Sequence, residues 1–103
     1  MTQKQKSPNT AQNDIRVQLR ERVATAAVKA YETNFSEGNF ESAARIAKEH
    51  ELGKKQMQAA AVRAYETSLS KGFFNDAARI AKEHELGEDI VEDTYALASL
   101  IRA

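Results

Sequence analysis

The chain has 103 residues and carries 15 Lys and Arg against 15 Asp and Glu, so its formal net charge is zero. Zero net charge predicts no general attraction to nucleic acid, and the absence of cysteine excludes disulfides and thiolate chemistry. The N-terminus has no apolar core and no run of about 18 apolar residues occurs, so we expect neither a secretory signal nor a membrane span, and a cytoplasmic location.

The first predicted helix follows a polar N-terminal segment. Residues 1–13 contain few apolar side chains and are expected to form a disordered tail. From Asp14 we predict an unbroken helix to Glu37, because apolar residues recur three and four positions apart and so share one helical stripe. These residues are Val23, Ala27, Val28, Tyr31 and Phe35.

An internal duplication dominates the middle of the chain. The sequence AARIAKEHELG stands at 43–53 and returns at 77–87, which defines a 34-residue period, and 21 of 28 positions are identical between residues 26–53 and 60–87. A fixed period of this size is typical of stacked repeat proteins, in which each unit buries its apolar face on its neighbour. The sequence therefore predicts one domain at residues 14–103, made of repeat one at 20–53, repeat two at 54–87 and a C-terminal helix at 88–103.

Each repeat has the pattern of two helices joined by a short turn. Glycine is expected to end the helices, because it adopts the left-handed conformation at no steric cost. The predicted turn glycines are Gly38, Gly53, Gly72 and Gly87, and Asn39 is a predicted N-cap. The first helix of repeat two has its core face at Met57, Ala61, Val62, Tyr65 and Leu69. The second helices have theirs at Phe40, Ala43, Ile46 and Ala47, and at Phe74, Ala77, Ile80 and Ala81. Loops this short predict antiparallel αα-hairpins and an all-α fold of five helices.

The turn within each repeat carries a glycine, an aromatic residue and an alanine, as Gly38-x-Phe40-x-x-Ala43 and Gly72-x-Phe74-x-x-Ala77. Together with the 34-residue period, this pattern resembles the tetratricopeptide superfamily over about residues 20–87. The chain resembles that family without being a typical member of it, because the family's first-helix tryptophan and its closing proline are replaced here. We therefore call it tetratricopeptide-like. The resemblance implies a short right-handed solenoid of stacked hairpins that binds a protein through the first helix of each pair.

The C-terminal helix is predicted to carry more apolar surface than packing on one hairpin requires. Its apolar side chains cover an arc of roughly 220°, whereas a surface helix needs only a little more than about 100°. This surplus predicts a contact with another protein or with a second copy of the chain, as in a homodimer. The candidate contact residues are Tyr95, Leu97, Leu100 and Ile101.

The two histidines of the chain, His50 and His84, stand in the last turn of the duplicated helices. An imidazole in that position can bond the free carbonyl groups of the helix end, which is the interpretation we prefer. A metal site is disfavoured, because Lys54 stands where the second histidine of a His-Glu-x-x-His pattern would fall.

The remaining polar residues predict no catalytic set. Arg45 and Arg79 each precede a glutamate by four residues, Glu49 and Glu83, and are expected to form solvent-exposed ion pairs with them. A binding role for Arg45 is the alternative. With no cysteine and no phosphate-binding glycine loop, we expect no enzyme activity, no metal, no cofactor and no small-molecule substrate.

The charge distribution leaves a second function class open. Residues 1–55 hold ten basic side chains against seven acidic ones, and residues 56–103 hold five against eight. Our principal hypothesis is a non-enzymatic protein-interaction or self-assembly module. The alternative is a small nucleic-acid-binding helical domain, in which Arg16, Arg20 and Arg22 would contact phosphate groups.

Overall fold

A computed structural model describes residues 8–102 and the side chains of residues 10–101. Over that range the chain forms five α-helices and no strand, which confirms the predicted all-α fold. The helices are α1 (Pro8–Ser36), α2 (Phe40–Glu49), α3 (Lys54–Ser70), α4 (Phe74–Glu83) and α5 (Glu88–Arg102). None of these helices is both long enough and apolar enough to cross a membrane.

The first helix begins earlier than the sequence predicts. It starts at Pro8 rather than Asp14, so residues 8–13 are helical and not part of a disordered tail. Proline suits the first turn of a helix, because the backbone N–H groups there have no helical partner in any case. Residues 1–7, the rest of the predicted tail, lie outside the described residues.

The five helices form a row in which each helix packs on the next one along the chain. The molecule is elongated, with extents of 78 × 26 × 19 Å along its principal axes. Part of this length comes from α1, whose side chains are all exposed from residue 10 to residue 26. The first half of α1 therefore projects from the body of the protein.

The turns after α1 and α3 have the predicted glycine geometry. Gly38 has φ 83° and Gly72 has φ 80°. The N–H of Asn39 donates to the carbonyl of Asn34 at 2.8 Å, and that of Gly38 donates to the carbonyl of Phe35 at 3.1 Å. This pair of bonds is the Schellman motif, which satisfies carbonyl groups left free at a helix end.

The turns after α2 and α4 are made differently from the prediction. Their left-handed residues are Glu51 (φ 52°) and Glu85 (φ 56°), not the glycines. Gly53 and Gly87 also have positive φ, but each directly precedes the next helix. The N–H of Leu86 donates to the carbonyl of Ala81 at 2.8 Å, so the Schellman motif forms around a glutamate.

The predicted N-cap at Asn39 is only partly right. Asn39 occupies the N-cap position of α2, and its carbonyl accepts the N–H of Ala43 at 3.0 Å. Its side chain makes no capping hydrogen bond. Phe73 stands at the same position before α4 and cannot cap through its side chain, so both short helices begin on backbone bonds alone.

Small residues form the centre of the core. Ala43, Ala44, Ala60 and Ala61 are fully buried, with Tyr31, Phe35, Met57 and Leu86 packed around them. Alanine places little side-chain bulk between two helices, so the backbones approach closely. Three predicted core residues are instead exposed by 40% or more: Val23, Val28 and Val62. Val28 and Val62 directly follow the buried Ala27 and Ala61 and lie on the water-facing side of their helices, and Val23 lies on the exposed part of α1.

Candidate interaction surface on the C-terminal helix

Helix α5 packs on α4 through one narrow face. Thr94 and Ala98 are buried on this face, and Val91 is half-buried beside them. The 34-residue register aligns these positions with Met57, Ala60 and Ala64 of α3, which have the same pattern of burial. Helix α5 therefore packs on the helix before it through the same face as α3 does.

Tyrosine hydroxyl groups tie each long helix to the next one. The Tyr31 hydroxyl donates to the carbonyl of Gln56 at 2.7 Å. In the second repeat the Tyr65 hydroxyl lies 2.7 Å from the Thr94 hydroxyl, which donates to the carbonyl of Ile90 at 2.6 Å. Ile90 follows Gln56 by one repeat period, so both tyrosines are linked to the carbonyl group at the same repeat position. Tyr31 reaches it directly, and Tyr65 reaches it through the Thr94 hydroxyl. Removal of the Tyr31 hydroxyl from water also raises the pKa of that group.

Three of the four predicted contact residues lie together on the outer side of α5. Leu97, Leu100 and Ile101 share an arc of about 100° with Ile90, which is not among the predicted contact residues. Their exposed fractions are 37%, 73% and 64%, and that of Ile90 is 40%. We call these four residues the α5 apolar face.

The α5 apolar face has no counterpart on the other long helices. At the equivalent positions α3 carries Gln56, Arg63, Glu66 and Thr67, and α1 carries Arg22, Lys29, Glu32 and Thr33. Of these residues Arg63 does contact a short helix, with its guanidinium 4.5 Å from the centre of the Phe40 ring of α2, so packing within the row is met there by a polar residue. Aligning α5 with α3 in the 34-residue register is the signal that identifies Ile90 from sequence.

Tyr95, the fourth predicted residue, lies elsewhere on the helix. It is two residues from Leu97, so the two side chains point about 160° apart around the helix. Tyr95 lines a groove between α4 and α5 together with Ala81, Lys82 and Val91. In α3 the same position is Ala61, which is buried in the alanine core with Ala43 and Ala44 of α2. The predicted surface is therefore split between two sides of α5.

No protein family, curated protein or solved structure matches this chain.

Four charged side chains form a closed ring between the two short helices. Arg45 contacts Glu41 at 3.0 Å and Glu83 at 3.3 Å. Arg79 contacts the same two glutamates at 2.7 and 3.1 Å. The hydrogen bond from Arg79 lowers the pKa of Glu41. The ring joins α2 to α4, so its simplest role is to fix the register of one repeat on the other.

The ring corrects one predicted ion pair. Arg79 pairs with Glu83 as expected, but Arg45 pairs with Glu41, four residues before it, rather than with Glu49. The reason is tertiary, because Glu83 of α4 lies beside Arg45 and draws its guanidinium to that side of α2. Both arginine side chains are about half exposed. Both guanidinium groups are paired with glutamates within the ring, which weighs against a role for Arg45 in binding a partner.

The two histidines have the same local sequence and different surroundings. The His84 side chain is 0% exposed, and neither ring nitrogen has a hydrogen-bond partner. The prediction that its imidazole caps α4 is therefore wrong, and the backbone N–H of His84 bonds to the carbonyl of Ile80 at 3.0 Å. Burial lowers the pKa of His84, although Glu83 opposes this effect with Nε2 3.8 Å from its carboxylate.

His84 is covered by residues of α2 and α3. His84 lies in a groove whose wall includes Ala47 of α2 and Met57 of α3. His50 is exposed and faces Leu19 and Val23, on the projecting half of α1. Among the described residues, no three His, Cys, Asp or Glu side chains come together in a way that could hold a metal ion.

Proposed function

We propose that this protein is a non-enzymatic protein-interaction or self-assembly module of the tetratricopeptide-like kind, a short right-handed solenoid of two hairpins with a closing helix. The single observation that carries the proposal is the α5 apolar face. Four positions that are polar on α1 and α3 are apolar and exposed on α5. Exposed apolar residues that packing within the chain does not require are typical of a protein contact surface.

The repeated geometry supports the repeat interpretation. The Schellman turns, the tyrosine bridges and the buried alanines recur in the register of the duplicated sequence. In stacked repeats each unit contacts only its neighbours, which agrees with the sequential packing of the five helices.

The test is the effect of Leu100→Glu on association. Wild-type protein is expected to form a concentration-dependent oligomer, or to capture a partner, and the variant is expected to lose that contact, because a carboxylate would be buried in an apolar interface. Sedimentation velocity measures the oligomer. Val62→Glu is the matched control, since it also replaces an exposed apolar residue with glutamate but lies on α3.

The controls define what would contradict the proposal. If Leu100→Glu and Val62→Glu associate like the wild type, the α5 apolar face is not a contact surface. Circular dichroism of both variants should match the wild type, which shows that loss of association is not loss of fold.

Nucleic-acid binding is a second candidate with one observation in its favour. Arg16, Arg20 and Arg22 are all exposed on the projecting half of α1. The test is binding to random-sequence DNA and RNA at low salt, because affinity from phosphate contacts is greatest at low salt and falls steeply as salt is added. Arg16→Glu should weaken such binding and reduce its salt dependence, and Lys71→Glu should not.

A further inference from the structure

A second exposed apolar surface lies on α1, at the other end of the row, and His50 borders it at Leu19 and Val23. Ile15, Leu19 and Val23 follow one another at intervals of four residues, and Ala26 continues the line. At about 100° per residue these side chains fall within an arc of about 80°. The three larger side chains are 56%, 54% and 49% exposed. We call these four residues the α1 stripe.

The equivalent face is covered on both other long helices. Val23 and Ala26 align in the 34-residue register with Met57 and Ala60 of α3, which packs on α2, and with Val91 and Thr94 of α5, which packs on α4. No helix precedes α1 in the described part of the chain, so its stripe lacks the partner that this face has elsewhere. The internal comparison therefore indicates that the α1 stripe is a surface for helix packing.

The two exposed surfaces match in length. Ile15 and Ala26 are separated by eleven residues, and so are Ile90 and Ile101 on α5. With a rise of about 1.5 Å per residue, each surface is about 16 Å long. One helix can thus cover the other along its full apolar line.

The two surfaces also carry opposite charges at their edges. Arg16 and Arg22 lie on either side of the α1 stripe, and both are exposed. Asp89 and Asp93 lie beside Leu100 along one edge of the α5 apolar face, because they precede it by eleven and seven residues and so share its side of the helix. Opposite charges at the rim favour this pairing over contact between two identical surfaces.

One chain cannot bring its own two surfaces together. Helix α1 packs on α2 and α5 packs on α4, so the two surfaces stand at opposite ends of the row. Pairing between them has to join two molecules. Such a contact is heterologous, and it leaves one free surface of each kind on every pair.

We propose that the occupant of the α1 stripe is the α5 apolar face of a second copy of this chain, in a head-to-tail contact. This inference rests on the proposed function, because it uses the same α5 surface and adds its partner. The contact has an apolar centre and a charged rim, and its repetition produces open-ended oligomers.

The deciding experiment mixes two variants that each lack one surface. Leu19→Glu removes the α1 stripe, and Leu100→Glu removes the α5 apolar face. In a head-to-tail contact each variant is monomeric alone, and an equimolar mixture doubles its mass to a dimer and stops there. Sedimentation velocity reports the masses, and circular dichroism verifies that both variants remain folded.

The alternatives produce different results. If Leu19→Glu alone forms a dimer while Leu100→Glu does not, α5 pairs with α5 by two-fold symmetry; this overturns the head-to-tail inference and leaves the proposed function standing. A wild type that is monomeric at high micromolar concentration also overturns the inference and assigns the α5 surface to a foreign protein. If neither substitution changes the association of the wild type, both the inference and the proposed function fail.

Discussion

At the scale of single residues, identical neighbours in sequence do not lead to identical chemistry. His50 and His84 share the segment AARIAKE on their N-terminal side and Glu-Leu-Gly on the other. His84 is fully buried without a partner for either ring nitrogen, whereas His50 is exposed. Unpaired buried polar atoms are uncommon and costly in folded proteins. The second hairpin therefore holds a group whose protonation opposes folding.

This burial predicts a loss of stability in mild acid. The folded-state pKa of His84 is lowered by burial, while in the unfolded chain it is near 6.5. Above about pH 6.5 the His84 ring is neutral in both the folded and the unfolded chain, so it does not lower the free energy of unfolding. As the pH falls below about 6.5, the unfolded chain binds the proton first, so the free energy of unfolding decreases until the folded-state pKa is passed.

Urea unfolding at several pH values between about pH 7 and pH 5 measures this decrease. The range is chosen because it lies above that in which ordinary carboxylates titrate. His84→Leu should remove the decrease, and His50→Gln should retain it. A decrease that persists unchanged in His84→Leu would show that other groups cause it.

At the scale of helices, the position in the row decides how much of each helix is buried. Helices α2 and α4 share the sequence AARIAKE, yet Ile80 is buried and Ile46 is only half-buried. Helix α4 lies beside α2, which accounts for the difference, because no described short helix covers the corresponding side of α2.

The two isoleucines form a matched pair for mutation. We expect Ile80→Ala to cost about 2–5 kcal/mol, the usual range for a fully buried isoleucine truncated to alanine. Ile46→Ala should cost less than half as much, since its side chain already contacts water. Urea unfolding of the two variants measures the difference. Equal losses would mean that the first repeat is covered in solution, as it would be by association.

At the scale of the whole molecule, the row is built from contacts between successive helices. Stability in such an array is approximately the sum of the units and of the interfaces between neighbours. The described chain begins and ends on a long helix, and these are the helices that carry the two uncovered apolar surfaces. Exposed apolar surface is thus concentrated at the two ends of the row.

This architecture predicts that the protein tolerates an additional repeat. A second copy of residues 54–87 inserted after Gly87 should add two helices and one more interface between hairpins. Its denaturation midpoint should rise, because each added unit contributes an interface to a cooperative array. Circular dichroism measures the added helix and the midpoint.

An insert with the same residues in scrambled order is the control, and it should add no cooperative helix. If the true repeat unfolds in a separate transition, or lowers the midpoint, the duplicated segments do not stack as equivalent units.

The sequence by itself determined the number of helices, the turns at Gly38 and Gly72 and the apolar surplus of α5. These features depend on local spacing, on residue type and on the repeated register, all of which are visible in one chain. The same local information placed the start of α1 too late, because residues 8–13 have no apolar periodicity to mark a helix that projects from the body of the protein.

Only the tertiary structure decided which copy of each repeated residue is buried. In the folded protein the side chain of His84 is buried and that of His50 is exposed, and the guanidinium of Arg45 pairs with Glu83 of the second hairpin. The tertiary structure also separated Tyr95 from the other residues of the predicted surface. The physical reason is that burial and ion pairing depend on what stands across from a side chain, and in a repeated sequence the two copies differ only in their neighbours in space.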